Sequence, residues 1–190
     1  RPLNLPRGDV TRLPNPVDRR ALSILCGARR YGDEGGWSDT WERVPTAVVL
    51  REAQSALLLP ELCAENRCVV RQEQGSEGFD PLAWDDGPPW RLALLCSRED
   101  SGDLLVRGAL RRGGDERDLT EPAFLTSDGL LLLDRTFARW TGGRAFGWVA
   151  ALRRAGRLRV PGSGLPRLLD ALSAGAVGCD VELPPQVAIV

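Results

Sequence analysis

Glycine and proline interrupt this chain so often that none of its secondary-structure elements can be long. Twenty-one glycines and fourteen prolines are spread over 190 residues, and such residues mark turns and element ends. Short elements with helical and strand periods in turn predict an α+β fold, an antiparallel or mixed sheet with about four helices. The length suits a single domain over residues 1–190, within which an N-terminal helical subregion, 1–66, gives way to an α/β subregion, 67–190. The chain starts at Arg1 and contains no methionine, so we expect it to be part of a longer one.

Near the N-terminus, Asn15 is placed to cap a helix with Pro16 at its first position. Val17, Ala21, Ile24, Leu25, Ala28 and Tyr31 fall on one side of that helix, and Gly32 ends it. Gly35 to Trp41 reads as a loop whose Trp37 and Trp41 either stack a base or plug the core. A second helix is expected from Pro45, with Val49, Ala53, Ala56 and Leu57 on one face and Pro60 at its end or a kink. Cys68 to Gln74 alternates like a strand, and Gly75 to Pro89 reads as an acidic surface loop. Trp90 to Ser97 and Leu104 to Arg112 bracket Ser101-Gly102-Asp103 as an antiparallel hairpin. Further on, Gly129 to Leu133 is a buried strand that Thr136 to Trp140 joins through Asp134-Arg135. A helix follows Gly142-Gly143, with Ala145, Trp148, Val149, Leu152 and Ala155 inward and Trp148 largely buried. Gly156 stops it. Leu158 to Val160 is extended, Leu165, Leu168, Leu169 and Leu172 line another helix, and Cys179 to Leu183 returns as a strand.

Every one of the 25 basic residues is arginine, and histidine is absent. The chain therefore lacks the usual near-neutral base and the amine of a Schiff base. No glycine cluster forms a phosphate loop, whose lysine this chain cannot supply. The acidic runs Asp85-Asp86, Glu99-Asp100 and Asp115 to Asp118 read as solvated loops rather than paired catalytic carboxylates. Cys63 and Cys68 have zinc-like spacing, but there is no second close pair and no histidine, so no metal site is expected. These readings predict no catalytic residue, no cofactor and no activity for this chain alone. The scattered cysteines fit a reducing compartment, hence the cytoplasm. No stretch approaches the roughly eighteen apolar residues needed to cross a bilayer, so no membrane partner is expected.

Charge is unevenly distributed. From Arg135 to Leu169 there are eight arginines and no acid, while the remaining seventeen arginines face all 26 acids. Such a stripe suits phosphates, an acidic partner, or the protein's own acidic part. Arg144 at a helix start, Arg153 and Arg154 off the apolar stripe, and Arg157 and Arg159 alternating beyond Gly156 are the candidate nucleic-acid or anion contacts. They are expected to form one continuous surface with solvent-facing guanidinium heads. The alternative makes these arginines internal partners of Asp115, Glu116 and Asp118.

The runs Phe124 to Asp134, Phe137 to Trp140, Arg144 to Gly156 and Leu158 to Pro161 together resemble the accessory region preceding the motor in bacterial Swi/Snf-type helicase-like proteins. Val181 to Pro185 is similar to the segment leading toward that motor. The likeness covers about the last seventy residues. It implies a non-catalytic module beside a nucleic-acid-dependent ATPase, since the motor's phosphate loop, acidic Mg²⁺ box and arginine finger have no counterparts here. The alternative is a protein-interaction or structural module with no nucleic-acid role.

Overall fold

The computed structural model describes residues 7–26, 29–30, 48–71, 79–176 and 178–185. The fold is α+β, with mixed sheet pairing and four α-helices among these residues. The chain divides into two compact units, Arg1–Trp84 and Asp85–Val190.

In the first unit a 3-10 turn, Arg7–Arg12, leads to α1 (Pro16–Cys26). The Asn15 side-chain oxygen accepts the Val17 N–H at 2.8 Å, satisfying one of the free donors at the helix start. Two-residue strands β1 (Arg29–Arg30) and β2 (Val48–Val49) pair antiparallel. Helix α2 (Glu52–Ala64) begins later than Pro45, and Val49, expected on its face, lies in β2 instead. The start is set by Gln54, whose side chain accepts the Arg51 N–H at 3.0 Å and closes the first turn. Pro60 sits inside the helix rather than at its end. Ion pairs Arg20–Glu61 and Arg67–Asp18 tie α1 to α2 and the turn after it. Strands β3 (Val69–Arg71) and β4 (Phe79–Pro81) pair antiparallel, and β5 (Ala83–Trp84) closes the unit. Both β4 and β5 fall within the segment read as an acidic loop.

The second unit is built around a long hairpin, β6 (Trp90–Arg98) and β7 (Leu104–Arg112), in continuous antiparallel register from Arg91↔Arg111 to Arg98↔Leu104. Alternation sends Trp90, Leu92, Leu94, Cys96, Leu104, Val106 and Leu110 to one face, which we call the inner face. After Gly113-Gly114 the chain returns as β8 (Asp115–Asp118) alongside Ala109–Arg112. Next come β9 (Phe124–Leu125), β10 (Leu130–Leu133) and β11 (Thr136–Thr141). Of these, β10 and β11 are joined by the two-residue turn Asp134-Arg135, both residues at positive φ. Strand β11 runs parallel to β6 at Trp140↔Trp90.

Helix α3 (Phe146–Ala155) covers the inner face with Val149 and Leu152, together with Ala145 just before it. Trp148 is half-buried rather than largely buried: its indole lies along the core margin, with Nε1 against Gly175. β12 (Arg157–Val160) then pairs with β7 at Leu104–Arg107, α4 (Leu165–Gly175) adds Leu168 and Leu172, and β13 (Asp180–Glu182) runs parallel to β6. Each long flank of the hairpin is thus shared: β8 and β12 line β7, and β11 and β13 line β6. Among the described residues no helix is long and apolar enough to cross a membrane.

Candidate functional site

The sheet separates the five candidate arginines. On β12 the exposures alternate, with Arg157 and Arg159 exposed and Leu158 and Val160 packed against the core. Arg157 and Arg159 therefore lie on the outer face, whereas Arg144, Arg153 and Arg154 belong to the helical layer on the inner face. One continuous surface does not result. The sequence showed the alternation along β12 but not which sheet face α3 would cover.

Arg144 stands on a 3-10 turn, Gly143–Ala145, and is exposed. The turn needs glycine, because a Cβ on Gly143 would collide with the Ser127 carbonyl oxygen. Arg154 is exposed in the last turn of α3, where a cation complements the helix dipole. Arg153, its neighbour, corrects the expectation of a solvent-facing head. It is half-buried and donates from Nη1 to the Leu119 carbonyl at 2.9 Å and from Nη2 to the Pro122 carbonyl at 2.8 Å. The planar fork satisfies both carbonyls at once.

On the outer face, arginines and carboxylates alternate across strands. Arg91 meets Asp180 at 2.9 Å, Glu116 takes Arg107 at 2.9 Å and Arg111 at 2.7 Å, and Arg111 also pairs with Glu182. Bonding from Arg111 holds the Glu116 and Glu182 carboxyls below the usual carboxylate range, with Arg107 helping at Glu116. Beneath this lattice lie Ala93, Leu95 and Ala109, all buried. Arg159 approaches Glu99 Oε2 to 2.5 Å as an ion pair without hydrogen-bond alignment. The acids Asp115, Glu116 and Asp118 are thus not held by the C-terminal basic stretch: Glu116 is held by β7, and Asp118 by Thr120.

Arg144, Arg154, Arg157 and Arg167 are exposed and have no ion pair or hydrogen bond among the described residues. Trp37 and Trp41 lie outside the described residues.

A cleft of about 520 Å³ opens where β7, β8, β10 and β11 meet. The Arg112 guanidinium lies 4.5 Å from the centroid of the buried Trp90 ring and pairs with Asp85. Asp85 also accepts the Gly87 N–H at 2.8 Å. Arg112, above all, holds the Asp85 carboxyl below its ordinary range, against the opposing effect of burial. Across the cleft Arg117 reaches Glu121 at 3.3 Å and Asp134 at 3.6 Å. The lining combines the carboxylates of Asp85, Asp115, Glu116, Glu121 and Asp134 with the guanidiniums of Arg112 and Arg117 and the hydroxyl of Thr136. Sequence reading missed this cleft. Its residues come from strands whose neighbours only the register reveals.

Cysteine chemistry is muted. Burial pushes the Cys63 thiol up to about 12, with Cys68 adding to the effect, and burial also raises Cys68, Cys96 and Cys179. These thiols stay protonated near neutral pH. Among the described residues no group of three or more His, Cys, Asp or Glu side chains could hold a metal ion. Comparison with protein-family models, with curated proteins and with solved structures finds no match to this chain.

Proposed function

We propose that this chain is a non-catalytic accessory module of a nucleic-acid-dependent ATPase or remodelling protein in the cytoplasm, and that its helical side contacts nucleic-acid phosphates. The observation that carries this reading is the set Arg144, Arg154 and Arg167. All three are exposed and none has a carboxylate partner among the described residues. The arginines of β6 and β7, by contrast, are largely neutralised by carboxylates. The likeness of residues 124–161 to the region preceding a Swi/Snf-type motor supports the same reading.

Binding to single-stranded and duplex DNA, followed by fluorescence anisotropy across a salt series, tests it. Each neutralised phosphate contributes a log–log slope of about −0.9 on duplex, so three contacts give about −2 to −3. The triple variant Arg144→Glu, Arg154→Glu, Arg167→Glu is expected to abolish binding. Absence of wild-type binding at low salt overturns the reading. A protein-interaction module without a nucleic-acid role is the second reading. It is favoured by the net charge of −1 and the alternating signs of the outer face, which give a polyanion no continuous positive field.

A further inference from the structure

Strand β12 forms an edge of the sheet, and the register fixes which of its backbone groups are free. In an antiparallel ladder, successive residues of a strand turn their N–H and C=O to opposite sides. Glu99 donates to the Asp103 carbonyl at 2.8 Å, so in the continuous register that follows Leu105, Arg107, Ala109 and Arg111 bond β6. Leu119 donates to the Gly108 carbonyl at 3.2 Å, so Leu104, Val106, Gly108 and Leu110 turn to the opposite flank, where β8 and β12 lie. The bonded pairs of β12 are therefore Leu158↔Val106 and Val160↔Leu104. Arg157 and Arg159, opposite Arg107 and Leu105, aim both N–H and C=O away from β7. Among the described residues β12 has no strand neighbour besides β7, and no turn or side chain takes those groups. The end of β8 differs, because the Asp118 N–H is held by the Glu121 side chain at 2.9 Å and its carbonyl by the Glu121 N–H at 3.1 Å.

The side chains give this open edge a sign. Arg157 and Arg107 form a non-hydrogen-bonded pair, the geometry in which facing side chains come closest, and like charges there repel. Arg107 has Glu116 at 2.9 Å, whereas Arg157 has no carboxylate among the described residues. Arg159 pairs with Glu99, yet its side chain stays 62% exposed and a guanidinium has donors for a second carboxylate. Charge on an edge strand ordinarily deters pairing. Here it has one sign only, so it repels a basic strand and attracts an acidic one. Phosphates accept hydrogen bonds but donate none, and would leave the Arg157 and Arg159 carbonyls unpaired. An extended peptide supplies donors and acceptors together. In antiparallel pairing, two alternate peptide residues face Arg157 and Arg159 on the outer face. The residue between them lies on the inner face beside Leu158, which packs at the margin of the core. We propose that β12 is a docking edge for an extended acidic peptide segment, with carboxylates at two alternate positions and an apolar residue between them. This does not rest on the nucleic-acid reading, which uses arginines of the helical side.

A short fluorescein-labelled peptide of alternating glutamate and valine, titrated with the full chain and followed by anisotropy, is expected to bind with a Kd below about 1 mM. Arg157→Glu should weaken binding about tenfold or more, because it sets a carboxylate against a carboxylate. That variant removes no ion pair or hydrogen bond among the described residues, so it should keep the fold, which circular dichroism checks. If it does not fold, the neutral Arg157→Gln serves instead, and a smaller loss of affinity is the expected result. The backbone is tested separately. Methylating the glutamate nitrogens keeps the peptide's charge but removes the N–H groups that meet the Arg157 and Arg159 carbonyls, and this should abolish binding. An oligothymidylate of equal charge should lose far less affinity than the peptide when Arg157 is reversed. No binding of the alternating peptide at 1 mM overturns the proposal, as does unweakened binding by the N-methylated peptide or by a folded Arg157 variant. An oligothymidylate that loses as much as the peptide also overturns it, because the edge would then select negative charge rather than a strand.

Discussion

Arg153 and Arg154 are adjacent in sequence and identical in chemistry, yet the structure assigns them opposite weights. Arg153→Ala leaves the Leu119 and Pro122 carbonyls without their donors, bonded in the parent at 2.9 and 2.8 Å. Hydrogen bonds from a charged donor contribute about 1.5–3 kcal/mol each when buried. The guanidinium here is only half-buried, and water can replace part of what is lost. The expected cost is therefore about 2–3 kcal/mol for the pair rather than the full sum. Arg154→Ala, at an exposed position with no partner among the described residues, should stay within about 0.5 kcal/mol of the parent. Arg153→Lys should fall between, because an ammonium lacks the planar fork that reaches two carbonyls together. Urea unfolding of the three variants, followed by tryptophan fluorescence and circular dichroism, gives the comparison directly. Equal stabilities for Arg153→Ala and Arg154→Ala would refute the assignment of Arg153 as the tie between α3 and the Leu119–Pro122 loop.

Asp85→Asn should flatten the acid limb of stability. The Asp85 carboxyl is held low chiefly by Arg112, so its contribution is fully present above the unfolded aspartate value of about 3.9 and is lost as pH falls through the lower folded value. Urea midpoints at pH 7, 4 and 2.5 check this, and an unaltered limb would count against the pairing. Leu119→Ala, at a side chain only 1% exposed, should cost about 2–5 kcal/mol in the same assay. Gly143→Ala should cost about 1–3 kcal/mol, because its Cβ meets the Ser127 backbone carbonyl rather than a side chain that can swing away. A neutral result would show that the turn beneath Arg144 is looser than described.

Period and punctuation made the strands of the β6–β7 hairpin, β10, β11 and β12, the start of α1 and the helices α3 and α4 readable in advance, but α1 ends at Cys26 and Arg29–Arg30 are strand where the apolar stripe had suggested a helix running to Gly32. The start of α2 was misread because Pro45 resembles a first helical residue, whereas the turn is fixed at Gln54 by a side-chain bond. β8 was missed because Asp115 to Asp118 is polar on both faces and so has no apolar alternation to detect. Arg153 was misjudged for a different reason. Its position off the apolar stripe was correctly read, but the carbonyls that draw it inward come from a loop more than thirty residues earlier. The cleft and the charge lattice were invisible for the same reason: Arg111 meets Glu182 across 71 residues, and Arg112 meets Asp85 across 27. Local pattern determines which side of a strand a residue occupies, and only long-range register determines what stands beside it.

The position of β13 also imposes an order in time. It lies against Ala93–Leu95 of β6, the first strand of the second unit, yet it is among the last parts of that unit to be made. At translation speeds of about 5–20 residues per second, the two segments emerge roughly 4–17 s apart. Through that interval the middle of β6 has an open edge of apolar residues, the kind of surface that pairs with whatever strand arrives first. Arg91 precedes this gap on β6 and Arg111 stands opposite Arg91 on β7, and they later bond Asp180 and Glu182. While β13 is missing, their charge discourages a wrong apolar strand from settling there. Once β13 arrives, the same two guanidiniums latch it in place.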